Sequence, residues 1–126
     1  MIERYSNPEI AGIWTLENKF RVWLEVEIAV CEAWNTRGVI SDEELSQIKT
    51  KADFQVPRIL EIEEEVQHDM IAFLTNVREN VGPAGRWVHY GLTSSDVGDT
   101  ALCLQMKRSG EILMERLDQL IAVVKS

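Results

Sequence analysis

Hydroxyl groups and charges are concentrated in one short segment, RWVHYGLTSSDVGDT, which covers residues 86–100. Thr93 and Asp96 have the spacing of a capping box, in which side chains bond the free N–H groups at the start of a helix. The same N–H groups and the positive end of the helix dipole can bind an anion, and the hydroxyl groups of Thr93 and Ser94 can add hydrogen bonds. The spacing alone is compatible with two interpretations, a plain helix cap and an anion-binding site.

Two further places carry side chains suited to substrate chemistry. His68 and Asp69 lie in EEEVQHDMIAF, off the apolar stripe, and on a continuous helix they would point about 100° apart. A general acid or base and a structural histidine are both open interpretations of His68. Arg4 and Tyr5 precede the first predicted helix. They can form an anion clamp, because arginine binds phosphate or carboxylate through two parallel hydrogen bonds, or they can be a mobile terminus.

Several other classes of site lack their motifs in this sequence. The two histidines, His68 and His89, have neither HxxxH nor HExxH spacing, and no Cys/His cluster exists, which argues against zinc. GxGxxG and GxxxxGK[ST] are absent, so no nucleotide-binding loop of those kinds is predicted. Cys31 and Cys103 are too few for a disulfide framework, and we expect two buried free thiols in a reducing compartment.

The charge balance restricts the partners. The chain has 13 basic and 21 acidic residues and a net charge of −8, which argues against a nucleic-acid binder. A single local anion site is still compatible, because a few placed donors act at short range. No stretch is apolar and long enough to predict a membrane span, and the first residues lack a signal-peptide core. We therefore expect a cytoplasmic protein without a membrane or nucleic-acid partner.

The apolar spacing predicts an all-α fold without strands. The predicted helices are a short one near Pro8 capped by Ser6, one from Leu16 to about Arg37 between Thr15 and Gly38, and one after the Ser41–Glu44 capping box. Two more are predicted, one from Pro57 to about Asn80 with a break near Gln67–Asp69, and one from Ser95 to Ser126. A helix of about 30 residues spans roughly 45 Å. Its apolar stripe should therefore pack against something outside this chain.

Taken together, the segments resemble the adenylosuccinate lyase family. The resemblance is carried by MIERYSNPEI, WxxENKFxxWLxVE, AWNTRGVI, RILEIEEEVQHDMIAF and WVHYGLTSSDVGDTAL, which follow one another in that family's order and spacing. TSSDVGDTA is similar to the first signature region of the wider fumarase/aspartase superfamily, and ERYS with QHDMIAF narrows the likeness to the adenylosuccinate branch. The likeness covers essentially the whole chain and corresponds to the N-terminal part of the enzyme.

The resemblance implies a lyase that needs no metal or organic cofactor. It would remove fumarate by β-elimination from adenylosuccinate, giving AMP, and from the succinocarboxamide ribotide of purine synthesis. The complete enzyme would be a homotetramer with active sites shared among three subunits. On this view, residues 1–92 are an N-terminal helical domain and residues 93–126 are the start of a long central helix bundle.

The resemblance also implies roles for the polar residues noted above. Arg4 and Tyr5 would contact the nucleotide, with Arg4 at the phosphate, and Thr93 and Ser94 would bind a carboxylate of the succinyl group. His89 is a second-rank candidate near the phosphate.

The middle group, Gln67, His68 and Asp69, would lie against the substrate, with His68 positioning and polarising it in support of proton transfer. Many relatives have a basic residue at position 67, so the glutamine departs from the family pattern.

The family's serine base lies on a loop of the form GSSxMPxKxNP, and its second catalytic histidine lies after the first bundle helix. This sequence contains neither. We therefore expect the chain by itself not to cleave adenylosuccinate. The alternatives are another superfamily member, such as argininosuccinate lyase or a cycloisomerase, and a non-enzymatic helical interaction module.

Overall fold

The computed structural model describes residues 3–125, and this part of the chain is helical without a strand. Its six α-helices are α1 (Pro8–Ile13), α2 (Leu16–Thr36), α3 (Asp42–Lys51), α4 (Val56–Val66), α5 (Asp69–Val81) and α6 (Ser94–Lys125). Two 3-10 turns, Glu3–Tyr5 and Pro83–Trp87, precede α1 and follow α5. The all-α prediction is confirmed. The predicted end of the last helix at Ser126 lies outside the described residues.

The helix ends follow local capping chemistry. The hydroxyl groups of Thr15 and Ser41 accept hydrogen bonds from the backbone N–H groups three residues later, as predicted. The first helix differs from prediction, because Asn7 and not Ser6 is its cap. The side-chain carbonyl of Asn7 accepts the backbone N–H groups of two following residues. Asparagine is a strong cap, and this one directly precedes Pro8, which suits the first helical position.

The predicted break between α4 and α5 is confirmed and has a backbone cause. Gln67 ends α4 with φ of +54°, in the left-handed region, and its side-chain amide donates to the backbone carbonyl of Glu64 at 2.7 Å. His68 is extended and stands in the cap position of α5. The two helices turn back to pack against each other. His68 and Asp69 therefore do not lie on one continuous helix.

An aromatic cluster at the centre of the molecule joins α2 to α5. Phe20 of α2 stacks on Phe73 of α5 with ring centroids 5.7 Å apart, and Trp23 and Phe54 meet this pair edge to face. Phe20 and Phe73 are almost completely buried. Rings in such contacts add to the stabilisation from burial alone. The cluster thereby fixes α2 against α5.

The final helix, α6, has a buried beginning and an exposed end. Val97 and Ala101 are fully buried in the core. Gln105 is also buried and donates its side-chain amide to the carbonyl of Ile13, which fastens α1 to α6. Beyond this point the apolar stripe is exposed, as predicted, at Leu113, Met114, Leu117, Leu120, Ile121 and Val124. No helix within residues 3–125 is both long and apolar enough to cross a membrane.

The two cysteines lie in different environments, so the prediction of two buried thiols is wrong for one of them. Cys31 is buried, whereas Cys103 is exposed on α6. Burial raises the pKa of the Cys31 thiol to about 11, and the carboxylates of Glu27 and Glu32 add to the effect. Cys103 lies on the part of α6 that is not covered by α2 or α1.

These environments predict one reactive thiol in the folded chain. At mildly alkaline pH, a disulfide reagent such as Ellman's should modify Cys103 quickly and Cys31 only after denaturation, because the thiolate is the nucleophile. The Cys103→Ser variant should show no fast phase. Two fast thiols in the native protein would contradict the buried position of Cys31.

Candidate functional site

The start of α6 forms a helix cap. Asp96 accepts two hydrogen bonds on Oδ2, from the backbone N–H of Thr93 at 2.7 Å and from its hydroxyl at 2.9 Å. These two bonds, with a contribution from the charge of His89, lower the pKa of Asp96. The Asp96 half of the predicted capping box is present, and a carboxylate of the protein itself occupies the donors of Thr93. The hydroxyl of Ser94 makes no hydrogen bond within residues 3–125.

His89 is held by a buried carboxylate from α2. Glu27 accepts the backbone N–H of His89 at 2.8 Å on Oε2, and its Oε1 lies 2.6 Å from the ring Nδ1. The Glu27 side chain is 1% exposed and that of His89 is 14% exposed. His89 has φ of +72°, a left-handed conformation that costs roughly 1–3 kcal/mol for a residue with a side chain. The surrounding bonds must therefore hold this conformation in place.

The electrostatics of this pair are set by burial. Desolvation raises the pKa of Glu27, and the hydrogen bonds and charge of His89 oppose that rise. Arg78 provides a further positive charge nearby and donates to the carbonyl of Val88 at 2.8 Å. The sequence analysis missed Glu27. The available signal was an acidic residue between Val26 and Ile28, inside the apolar pattern of a helix predicted to be buried on more than one side.

His68 caps α5 through its ring. The backbone N–H of Ile71 donates to Nδ1 of His68 at 3.3 Å. In the neutral ring the proton must then be on Nε2, which leaves that nitrogen as a donor. The side chain is 47% exposed, so His68 is not a buried structural histidine.

Asp69 is held in its ionised form by α2. Its Oδ2 lies 3.1 Å from Nζ of Lys19, and its Oδ1 accepts the backbone N–H of Met70 at 2.7 Å. Burial alone would raise the pKa of Asp69, but the hydrogen bond and charge of Lys19 outweigh it and lower that pKa. The Lys19 ammonium also lies 4.4 Å from the ring centroid of Trp23, within the range of a cation–π contact. The sequence analysis missed Lys19 as well.

Arg4 and Tyr5 lie at an open edge of the molecule. The Arg4 guanidinium is 4.9 Å from the centroid of the Tyr5 ring, and that ring is 70% exposed. Tyr5 lines an open cavity of about 390 Å³ together with residues of α1 and the segment that precedes it. An exposed arginine beside a phenol is suited to bind an anionic group attached to an aromatic ring.

The predicted residues therefore form three groups on one scaffold. Asp69 is anchored to Lys19 of α2, and His89 is anchored to Glu27 two turns later on the same helix. His89 is near enough to Asp96 for its charge to lower the pKa of that carboxyl, so it belongs with Thr93 and Ser94. The third group, Arg4 and Tyr5, precedes α1, which Gln105 fastens to α6. No hydrogen bond or ion pair within the described part joins this third group to the other two.

Among residues 3–125, no group of three or more His, Cys, Asp or Glu side chains is placed to hold a metal ion.

The sequence profile of the family described as Lyase matches residues 3–126, and the chain belongs to this lyase family. It is 50% identical over 125 residues to an adenylosuccinate lyase of Bacillus subtilis (strain 168), and 55% identical over the same length to one of Synechocystis sp.. Each alignment covers 99% of this chain and 29% of the relative. The chain therefore spans about 29% of the length of these curated relatives.

A solved structure shows the same fold. The crystal structure of fumarate lyase from Mesorhizobium sp. BNC1 superposes with a TM-score of 0.77 and covers 88% of this chain and 27% of that one. The sequence identity is 23%, so this likeness supports the fold alone.

The contact between Lys19 and Asp69 can be tested by titration. In the Lys19→Met variant we expect the pKa of Asp69 to rise, because the hydrogen bond and the positive charge are lost while burial remains. Carboxyl ¹³C NMR of the purified chain measures this directly. Lys49→Met, which removes a similar surface ion pair with Glu32, is the matched control and should leave Asp69 unchanged. An unaltered Asp69 titration in Lys19→Met would show that Lys19 does not govern this carboxylate.

Proposed function

We propose that this chain supplies the substrate-binding wall of an adenylosuccinate lyase. The observation that carries the proposal is the identity of 50–55% with adenylosuccinate lyases over almost the whole chain. The reaction would be the β-elimination of fumarate from adenylosuccinate, giving AMP, and from the succinocarboxamide ribotide of purine synthesis. These substrates carry one phosphate and two carboxylates, which matches a surface with several separate anion donors.

The chemistry of β-elimination explains what such a wall contributes. A base removes a proton from the carbon next to a carboxylate, the C–N bond breaks, and the leaving nitrogen regains a proton. Negative charge builds up on the carboxylate during the first step. Fixed donors at a helix start stabilise that charge, and interactions that strengthen in the transition state raise the rate. The N-terminus of α6 has the dipole direction and the hydroxyl groups for this role.

Thr93 and Ser94 are proposed to bind the succinyl carboxylate in different ways. The donors of Thr93 already bond Asp96, so a substrate carboxylate would have to compete with that side chain. Ser94 has an unengaged hydroxyl and lies in the first turn of α6. Ser94 therefore carries the larger share of the contact, and His89 is a second-rank candidate near the phosphate.

The other two groups would bind the remainder of the substrate. Arg4 and Tyr5 are proposed to contact the nucleotide, with the guanidinium on the phosphate. His68, with Nε2 protonated in the neutral ring, donates to the substrate and polarises it, while ionised Asp69 accepts a hydrogen bond. Gln67 is the weakest assignment, because its amide folds back onto the carbonyl of Glu64.

The rest of the enzyme would come from other segments and other subunits. We propose that the serine base and a second histidine lie on parts that this chain does not contain, and that a homotetramer brings them to this wall. The exposed apolar stripe of α6 supports the assembly, because such a face on a long helix is typical of a bundle interface. On this proposal residues 1–92 form the helical domain, residues 93–126 begin the bundle, and the protein is cytoplasmic without membrane or nucleic-acid partners.

A segment exchange tests the proposed function. The matching 125-residue segment of the Bacillus subtilis enzyme is replaced by this chain, and turnover is followed by the loss of succinyl-purine absorbance. We expect the chimera to cleave adenylosuccinate and the chain alone to give no turnover. A folded, tetrameric chimera without activity would contradict the proposal, as would activity of the chain alone.

Within the chimera, Ser94→Ala should lower kcat/KM about 5- to 150-fold, as expected for the loss of roughly 1–3 kcal/mol from one donor to a charged group. Ser95→Ala is the matched control, since Ser95 is the next residue of the same helix turn and is exposed. We expect little change there. Equal kcat/KM in the Ser94→Ala chimera and its parent would remove Ser94 from the site.

The apolar stripe of α6 predicts self-association of the purified chain. Leu113→Glu combined with Leu117→Glu should shift the chain to monomer in analytical ultracentrifugation, because both side chains are about half exposed and charge opposes their burial. Lys107→Glu, on an exposed position outside the stripe, should leave the association unchanged. A parent chain that sediments as a monomer would show that the stripe is not an interface in this chain.

A further inference from the structure

We propose that Glu27 is a positioning residue for His89, and that it fixes both the backbone and the ring of that histidine so that only Nε2 faces the substrate. The inference deepens the proposed function and rests on it, because it takes His89 as a substrate contact. Neither the sequence pattern nor the family resemblance assigned a role to Glu27.

The first support is the two-point contact. One carboxylate oxygen of Glu27 accepts the backbone N–H of His89, and the other meets the ring Nδ1. A carboxylate that bonds both the main chain and the ring of one residue fixes the ring's orientation relative to its backbone. The pair is buried at the Glu27 end and nearly buried at the His89 end, so water competes little for these bonds.

The second support is the backbone of His89. Its left-handed conformation is unusual for a residue that is not glycine, and the next left-handed residue, Gly91, follows two positions later. Such a backbone conformation persists only where several surrounding bonds hold it in place. Residues with such conformations are concentrated at functional sites. The bond from the His89 N–H to Glu27 is one such constraint, and it comes from a helix 62 residues away in sequence.

The third support is the tautomer. Oε1 of Glu27 can only accept while the carboxylate is ionised, and in that state Nδ1 of His89 carries the proton that is shared with it. Nε2 is then the ring nitrogen that Glu27 does not contact, and it is the one available to a substrate. His68 has the opposite arrangement, because its Nδ1 accepts the N–H of Ile71. The two histidines of the chain are therefore held as different tautomers.

The location of the ring is the fourth support. His89 accepts the backbone N–H of Leu92 in the turn before α6, and its charge contributes to the low pKa of Asp96 in the first turn of that helix. The charged groups that act on Glu27 itself are His89 and Arg78.

Long-range ¹H–¹⁵N NMR of the chain tests the inference without any substrate. The chain has two histidines, so assignment is direct. At a pH where both rings are neutral, we expect Nδ1 to be protonated in His89 and Nε2 in His68. His89 protonated on Nε2 would overturn the inference while leaving the proposed function untouched. This measurement on the parent chain needs no variant to fold.

Two variants then separate positioning from packing. Glu27→Gln keeps the shape but loses the charge and one acceptor, so His89 should lose its fixed tautomer while His68 stays unchanged. Glu25→Gln, on the same helix and in an exposed ion pair with Arg108, is the matched control and should leave both histidines as they are. A Glu27→Gln spectrum identical to the parent would contradict the inference.

Kinetics in the chimera complete the test. Glu27→Gln should lower kcat/KM about tenfold or more, and Glu27→Asp should restore part of the loss. In a His89→Ala background, Glu27→Gln should have almost no further effect, because the two residues act as a unit. An equal loss in both backgrounds would show that Glu27 acts through the fold and not through His89. Inactivity of the unmutated chimera would instead count against the proposed function.

Discussion

The stacking of Phe20 on Phe73 is the contact on which the rest of the structure depends. It fixes α2 against α5 in the centre of the molecule, and Trp23 and Phe54 close the cluster from the sides. The other faces of α2 pack against α1, α3 and α6. Helices α1, α3 and α6 therefore share one packing partner, while α4 packs on α5.

The same helix carries two charges that reach distant segments. Lys19 meets Asp69 at the start of α5, and Glu27 meets His89 in the turn before α6. The two interactions differ in kind. The lysine pair is partly exposed and screened by solvent, so it orients a side chain at small energetic cost. The glutamate pair is buried, so removal of either partner would leave a charge or a polar group without compensation. Helix α2 thus makes one partly exposed contact that can adjust, to Asp69, and one buried contact that is rigid, to His89.

The sequence predicted the local features well. The caps at Thr15 and Ser41, the break at Gln67 and the stripe of α6 depend on residues within one or two helical turns, and the structure has all of them. The chemistry of the candidate site was predictable only in part. Residue types pointed to Asp69 and His89, but the anchors of these two side chains are 50 and 62 residues away in sequence. Helical periodicity contains no information about which distant charge faces which loop.

The cap of α5 shows the same limit on a smaller scale. The apolar stripe continues from Ile59 to Val77 across the predicted break, and the residue types do not specify the torsion angle that produces the break. The left-handed backbone at Gln67 converts that stripe into two helices that pack on each other, and it places His68 at an end with its ring on a backbone N–H. As a cap, His68 accepts a backbone N–H on Nδ1, and its side chain is about half exposed.

The continuity of α6 has a mechanical consequence. One unbroken helix joins Ser94, at the polar joint, to Leu117, on the uncovered stripe, over roughly 35 Å. A hydrogen-bonded helix resists bending and stretching. If another helix packs against Leu117 and tilts α6, the start of α6 at Ser94 is therefore displaced as well. Val97 and Ala101 are buried in the core and are the point about which α6 would tilt. The position of the hydroxyl groups at the start of α6 therefore depends on how the exposed stripe of the same helix, several turns away, is packed.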